Sequence, residues 1–321
     1  MSRAETGWLP YEDRNLLQRK ITDRFHEQVG RYSLIGSTIE KPPERFIWAE
    51  QEQKIFGKLL PRCIQKSGCC VGAGSWVALL KSFFGDMVYR QDNDLMKPHF
   101  PWAPYGKGRE IAGMRGPGEG SFGAAQAKAV DDDVLGLLPY DDSRFPQPKI
   151  RDDFWWHWDR SAEIKWSHPS SWPVAEREIA AEGKPFGCKD IVRVENAEQT
   201  VQLTAQGYGI TVASMYGTRP RIKEGVLLGE WNDQWAHQMS LGGYWFHPKL
   251  GLIFIDDNQW SKGAYNGLNC PTLAEFGSNG STWCLEKDWN RRCKRGEVYA
   301  HASGGFPKRE ILWDDWGIVF S

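Results

Sequence analysis

The chain has 321 residues, enough at roughly 150 per domain for one large or two modest domains with ample core. Its 40 basic and 41 acidic side chains leave a formal net charge of −1, which sets aside a phosphate-backbone binder or a polybasic membrane-surface protein, so no nucleic-acid partner is expected. A quarter of the residues are charged and apolar runs such as 76–80 are short, whereas a bilayer span needs about 20 apolar residues, so no membrane partner is expected either.

The opening stretch, MSRAETGWLPYEDRNLLQRK, has neither the basic n-region nor the apolar h-region of a secretory signal, which points to a cytoplasmic or already processed start. Seven cysteines, at 63, 69, 70, 188, 270, 284 and 293, are an odd number, so a disulfide framework is not required. Seventeen tryptophans are high usage, but composition of this kind names no ligand. Oligomeric state is not readable here.

Residues 1–54 read as an N-terminal arm, with a short helix near 16–25 and a Pro-marked extended segment at Lys41-Pro42-Pro43. Residues 55–185 read as a helical lobe. Its centre is CVGAGSWVALLKSFF, residues 70–84, apolar or small on every face and suited to a helix buried all round. Gly72 and Gly74 weaken such a helix by roughly 1 kcal/mol each, which makes sense where another backbone approaches closely. A second helix is expected over 122–132, an extended segment over 135–140, and an irregular insertion over 154–172, FWWHWDRSAEIKWSHPSSW.

Residues 186–321 read as a β-rich lobe. Asn196 followed by Gln199 resembles a capping box opening a helix to about Ala205, and Gly207 stops it before the strand 209–214. Residues 235–246 and 252–256 form a hairpin through His247-Pro248-Lys249-Leu250-Gly251. Strand, helix and strand follow near 282–285, 288–294 and 297–300. Helices first and strands second describe an α+β protein of two lobes with a cleft between them.

A cysteine at a helix N-terminus meets partial positive charge and free amide donors, which depress its pKa. Cys70 occupies that position, preceded by Gly68. A small buried thiol is the plainer reading. The hairpin turn places His237 opposite about residue 260, so Asn258 lies beside His237, where its amide oxygen can orient the imidazole. Taken singly, His237 reads as a satisfied histidine and Asn258 as a turn residue.

Together these segments resemble the papain-like cysteine peptidases of divergent bacterial or viral type. Gln65-Lys66-Ser67-Gly68-Cys69-Cys70 is similar to that family's glutamine, glycine and nucleophilic cysteine leading into the central helix. His237 opens His-Gln-Met-Ser-Leu-Gly-Gly-Tyr, and Asn258-Gln259-Trp260-Ser261 resembles the family's Asn-Ser-Trp-Gly. Gly118-Glu119-Gly120-Ser121-Phe122-Gly123 looks like the Gly-rich substrate-binding edge.

The resemblance implies a two-lobed papain-like fold, helical lobe plus antiparallel β lobe, with the active-site cleft between. It makes Cys70 the nucleophile, His237 its acid–base partner, Asn258 the orienting residue and Gln65 the oxyanion side chain. Gly118, Gly120, Ser121 and Trp260 would contact a polypeptide substrate, and no metal or other cofactor is implied. Gln65 stands five residues before Cys70 rather than six, Val71 replaces the usual Trp, and Ser67 replaces the usual disulfide partner. The arm carries no helical prodomain signature. Two other readings stay open: a peptidoglycan amidase or other Cys-His acyl transferase, with Asp256 or Asp257 orienting the histidine, and an inactive structural protein on this fold. Cys270, Cys284, Cys293 and His301 lack the close pairs of a zinc site.

Overall fold

A computed structural model describes residues 7–31, 39–90, 99–139, 145–150, 155–216, 218–231, 236–258 and 281–302. In chain order the elements are α1 (Leu16–Gln28), β1 (Gly30–Arg31), β2 (Arg45–Ile47), α2 (Trp48–Phe56), β3 (Arg62–Ile64), α3 (Cys70–Arg90), β4 (His99–Phe100), α4 (Trp102–Ile111) and α5 (Gly123–Ala129). There follow β5 (Leu138–Pro139), β6 (Lys149–Ile150), β7 (Trp155–His157), α6 (Arg160–Trp166), α7 (Glu176–Gly183), β8 (Asp190–Arg193), α8 (Ala197–Ala205) and β9 (Gly209–Ser214). The chain continues through β10 (Thr218–Lys223), β11 (Val226–Trp231), β12 (His237–His247), β13 (Gly251–Asp257), β14 (Trp283–Leu285), α9 (Glu286–Arg295) and β15 (Glu297–Ala302).

The apolar run after Cys70 does form a helix buried all round: every side chain of α3 from Cys70 to Val88 is buried. Gly74 lets it approach β12, since a Cβ there would sit 3.1 Å from the Met239 backbone. The helix runs past the expected end at Phe84 because Gly85 continues the close packing. A Cβ on Gly85 would lie 1.9 Å from the Gly207 carbonyl oxygen, so only glycine fits.

The β-rich half is one mixed sheet. Among the described residues its order is β1-β8-β15-β9-β12-β13-β14-β11-β10, with β2 also pairing β12. The β12–β13 hairpin has the expected register: Ser240 faces Asp257 and Tyr244 faces Phe254, with a shift between Leu241 and Gly243. Asn196 caps α8 by accepting from the Gln199 amide at 2.9 Å. Helices and sheet together make an α+β fold, as composition and pattern predicted.

The tryptophan-rich insertion is more regular than expected. It contains β7, which pairs in parallel with β3, and α6. Trp156 and Trp158 pack against Trp76 of α3, at 6.1 and 6.2 Å between ring centroids, Trp158 within the core and Trp156 half-buried at its edge. A run saturated with aromatic residues hides the periodicity that marks short elements. Among the described residues no helix is long and apolar enough to cross a membrane.

Candidate active site

Cys70 is the first residue of α3, and its Sγ accepts a hydrogen bond from the Gln238 amide at 3.4 Å. The Gln238 side chain then reaches back, donating to the Val71 carbonyl at 3.2 Å and to Ser75 Oγ at 2.9 Å. The start of β12 is thereby fixed to the first turn of α3. His237, which precedes Gln238, begins β12, and Asn258 follows the last residue of β13. His237 Nε2 and Asn258 Oδ1 lie 3.1 Å apart, so Nε2–H donates to the amide oxygen and Nδ1 is the basic nitrogen of that tautomer.

Cys70, His237 and Asn258 are all buried, at 0%, 1% and 2% exposure. Burial pushes the Cys70 thiol up to about 12, although amide donors from Gln238 and Val71 and its own N–H pull the other way. Burial thus opposes the helix N-terminus at this sulfur. Cys69, the neighbouring thiol, turns elsewhere: it donates to Glu163 Oε2 at 3.3 Å. Burial and the Glu163 charge push it well above the ordinary range.

Gln65 is buried and donates from Nε2 to the carbonyl of Ser67 at 3.1 Å, so its side chain is held by its own loop. Gly120 donates to the Gly68 carbonyl at 2.9 Å, which joins the Gly-rich edge to the loop before Cys70. Gly118 donates to Ser167 Oγ at 2.9 Å. Ser121 pairs with the N-terminal arm: its amide donates to Gly7 O at 2.9 Å and its carbonyl accepts from Leu9 N at 2.7 Å. Gly7 has φ of +85°, and a Cβ there would meet Gly68 O at 2.1 Å. Trp260 lies outside the described residues, as does Cys270.

No family model and no curated protein matches the chain by sequence. Solved structures do match. Xylellain, a cysteine protease from Xylella fastidiosa, superposes with a TM-score of 0.53 at 12% identity, over 94% of this chain and 96% of its own. The proform of the Amb a 11 cysteine protease, a ragweed pollen allergen, gives 0.51 at 13%, over 94% and 76%. The chain has the papain-like fold. This is the two-lobed architecture that the sequence resemblance implied.

Two buried carboxylates carry no sequence signal. Glu163 is fully buried, and burial pushes its carboxyl up to about 7 while Ser67, Cys69 and Lys66 pull it back. Glu297 of β15 accepts from Trp8 Nε1 at 2.8 Å, from Gly123 N at 2.9 Å and from Ala124 N at 3.0 Å, and it pairs with Arg14. That carboxylate ties arm, helix α5 and sheet together.

Asp256 and Asp257 are each engaged in buried ion pairs. Asp256 pairs with Arg292 at 2.8 Å, and Asp257 pairs with Lys81 at 2.8 Å and Arg62 at 2.9 Å. Among the described residues the grouping with metal-ligand spacing is Asp131, Asp132 and Asp133. His301 contacts Thr211 Oγ1 at 3.2 Å, and burial lowers it to about 3, which keeps it neutral.

Proposed function

We propose that the protein is a cysteine peptidase that hydrolyses peptide bonds through Cys70, His237 and Asn258. One observation carries the reading: the His237–Asn258 hydrogen bond is made where the next residue, Gln238, donates to Cys70 Sγ at the start of the buried helix. Asn258 meets the imidazole while Asp256 and Asp257 are taken up by ion pairs, which favours a peptidase over the acyl-transferase alternative with an acidic orienting residue.

Burial penalises an isolated thiolate, as the upward push on Cys70 reflects. Passing the thiol proton to His237 Nδ1 leaves no net charge in the pocket, so a thiolate–imidazolium pair is the form in which this sulfur becomes nucleophilic. The thiolate attacks the substrate carbonyl carbon. The Cys70 amide at the helix N-terminus stabilises the oxyanion, a donor of a kind worth about 3–4 kcal/mol. Gln65 joins it once its amide exchanges the Ser67 carbonyl for the substrate. His237 then protonates the departing amine, the C–N bond breaks, and a thioester remains. Water, deprotonated by His237, hydrolyses the thioester and regenerates the thiol.

Substrate backbone would pair with the edge at Ser121, which Gly7 and Leu9 occupy. Gly7→Ala therefore serves as an opening variant, because both its φ and the Gly68 carbonyl exclude a Cβ. Quenched-fluorescent peptides should be cleaved by the full chain, and Gly7→Ala should cleave them about 3- to 10-fold faster by removing part of the cost of displacing the arm. No cleavage by either form across a diverse peptide set contradicts the peptidase reading. Equal rates contradict the role given to the arm.

A further inference from the structure

The insertion helix α6 touches both the Gly-rich edge and the loop that leads into Cys70. At its start Arg160 pairs with Glu119 at 2.7 Å, and just past its end Ser167 Oγ accepts from the Gly118 amide. Glu163, between them, faces the loop that leads into α3. Its Oε1 accepts from the Lys66 amide at 3.0 Å, and its Oε2 accepts from the same amide at 3.1 Å, from Ser67 Oγ at 2.6 Å and from Cys69 Sγ at 3.3 Å.

Three donors from the five residues between β3 and α3, Lys66, Ser67 and Cys69, thus converge on one carboxylate. Among the described residues Glu163 makes no ion pair; the hydrogen-bond donors that reach it are neutral, and the Lys66 charge adds to them without direct contact. A buried carboxylate is costly to retain where a well-packed apolar side chain would serve stability equally well. Its donors all belong to residues 66–69, between Gln65 and Cys70. Ser67, where the papain-like pattern usually has a bridged cysteine, makes the shortest of these bonds.

We infer that Glu163 is a positioning residue, whose carboxylate fixes the 66–69 loop so that the Cys70 amide and the Gln65 side chain are set for the oxyanion. Its kinetic consequence rests on the peptidase reading; its hold on the loop does not. Glu163→Ala leaves the Lys66 amide, the Ser67 hydroxyl and the Cys69 thiol without their acceptor. Glu163→Gln restores an amide oxygen in the place of Oε2, which can take the Ser67 bond and one of the Lys66 bonds.

The test combines hydrogen exchange of amides 65–71 with steady-state peptide hydrolysis in both variants. In Glu163→Ala, exchange over these residues should rise about tenfold or more with the rest of the chain unchanged. The same variant should lose about 10- to 100-fold in kcat with KM within about threefold, since misplacement by a fraction of an ångström acts on the transition state. Glu163→Gln should return both to within about threefold of the parent. Unchanged exchange in Glu163→Ala overturns the inference, and so does an unchanged kcat. Acceleration spread over the whole chain in both variants also overturns it, because it marks a general packing role. If the parent cleaves no peptide, the peptidase reading fails, and exchange alone decides whether Glu163 holds the loop.

Discussion

Cys70→Ala and His237→Ala should each lower kcat/KM for peptide hydrolysis by about 10³- to 10⁴-fold, and the double variant should be little worse than either. Non-additivity is expected because the sulfur and the imidazole act as one unit: without the base the thiol is pushed up by burial, and without the thiol the base has no nucleophile to activate. Asn258→Ala should cost less, about 10- to 100-fold, since it removes the 3.1 Å bond that orients the ring while leaving both reacting groups. Cys69→Ala is the discriminating control. Its thiol gives Glu163 one of several bonds and none to Gln238, so hydrolysis should fall by no more than about tenfold, far less than in Cys70→Ala. A loss in Cys69→Ala as large as in Cys70→Ala, measured with the same fluorogenic peptides, would reassign the nucleophile.

The largest expected effect on stability belongs to Asp257→Ala. Lys81 sits in the middle of α3 at 0% exposure, and Nζ donates to Ser240 Oγ, to the Leu241 carbonyl and to Asp257 Oδ2 at 3.0, 2.7 and 2.8 Å. Arg62 donates to the same carboxylate oxygen at 2.9 Å and pairs with Glu52 at 2.8 Å. Removing Asp257 strands a buried ammonium beside a buried guanidinium, a change that costs about 3–5 kcal/mol when one member of such a set is lost. Urea unfolding should show that loss, and a change below about 1 kcal/mol would contradict the account.

Burial pushes the Asp257 carboxyl upward, but the Lys81 and Arg62 charges outweigh it and hold it below its ordinary value. A carboxylate depressed in the fold contributes stability above its unfolded pKa and loses it as the pH falls through the folded one. The difference between parent and Asp257→Ala should therefore be full at neutral pH and shrink below about pH 4. Because Asp257 adjoins Asn258, the same network fixes the end of β13 where the imidazole is met.

How much of this was legible in the sequence depended on range. The helix after Cys70 announced itself because its residues are apolar or small throughout, and the hairpin because a Pro-Gly turn sets the register of everything on its two strands. That register alone puts Asn258 beside His237. The partners that cross the molecule left no comparable trace. Glu163 sits 97 residues from Lys66 in a tryptophan-rich stretch that reads as irregular, and the three-residue pairing of Gly7 and Leu9 with Ser121 is too short for any pattern. Burial of Cys70 left no trace for a related reason: helix position is local, whereas the burial that opposes the helix terminus at this sulfur is set by β12 and the rest of the fold.

The pairing of Cys70 with His237 is tested most directly by the pH dependence of Cys70 alkylation with iodoacetamide, followed by intact mass and peptide mapping, in the parent and in His237→Ala. The account predicts a parent rate that levels off between about pH 5 and 8, as an imidazolium-paired thiolate does. In His237→Ala the rate should instead keep climbing with pH, toward the value of about 12 to which burial pushes the lone thiol. Coincident profiles in the two proteins would mean that His237 does not activate Cys70, and would contradict the proposed mechanism.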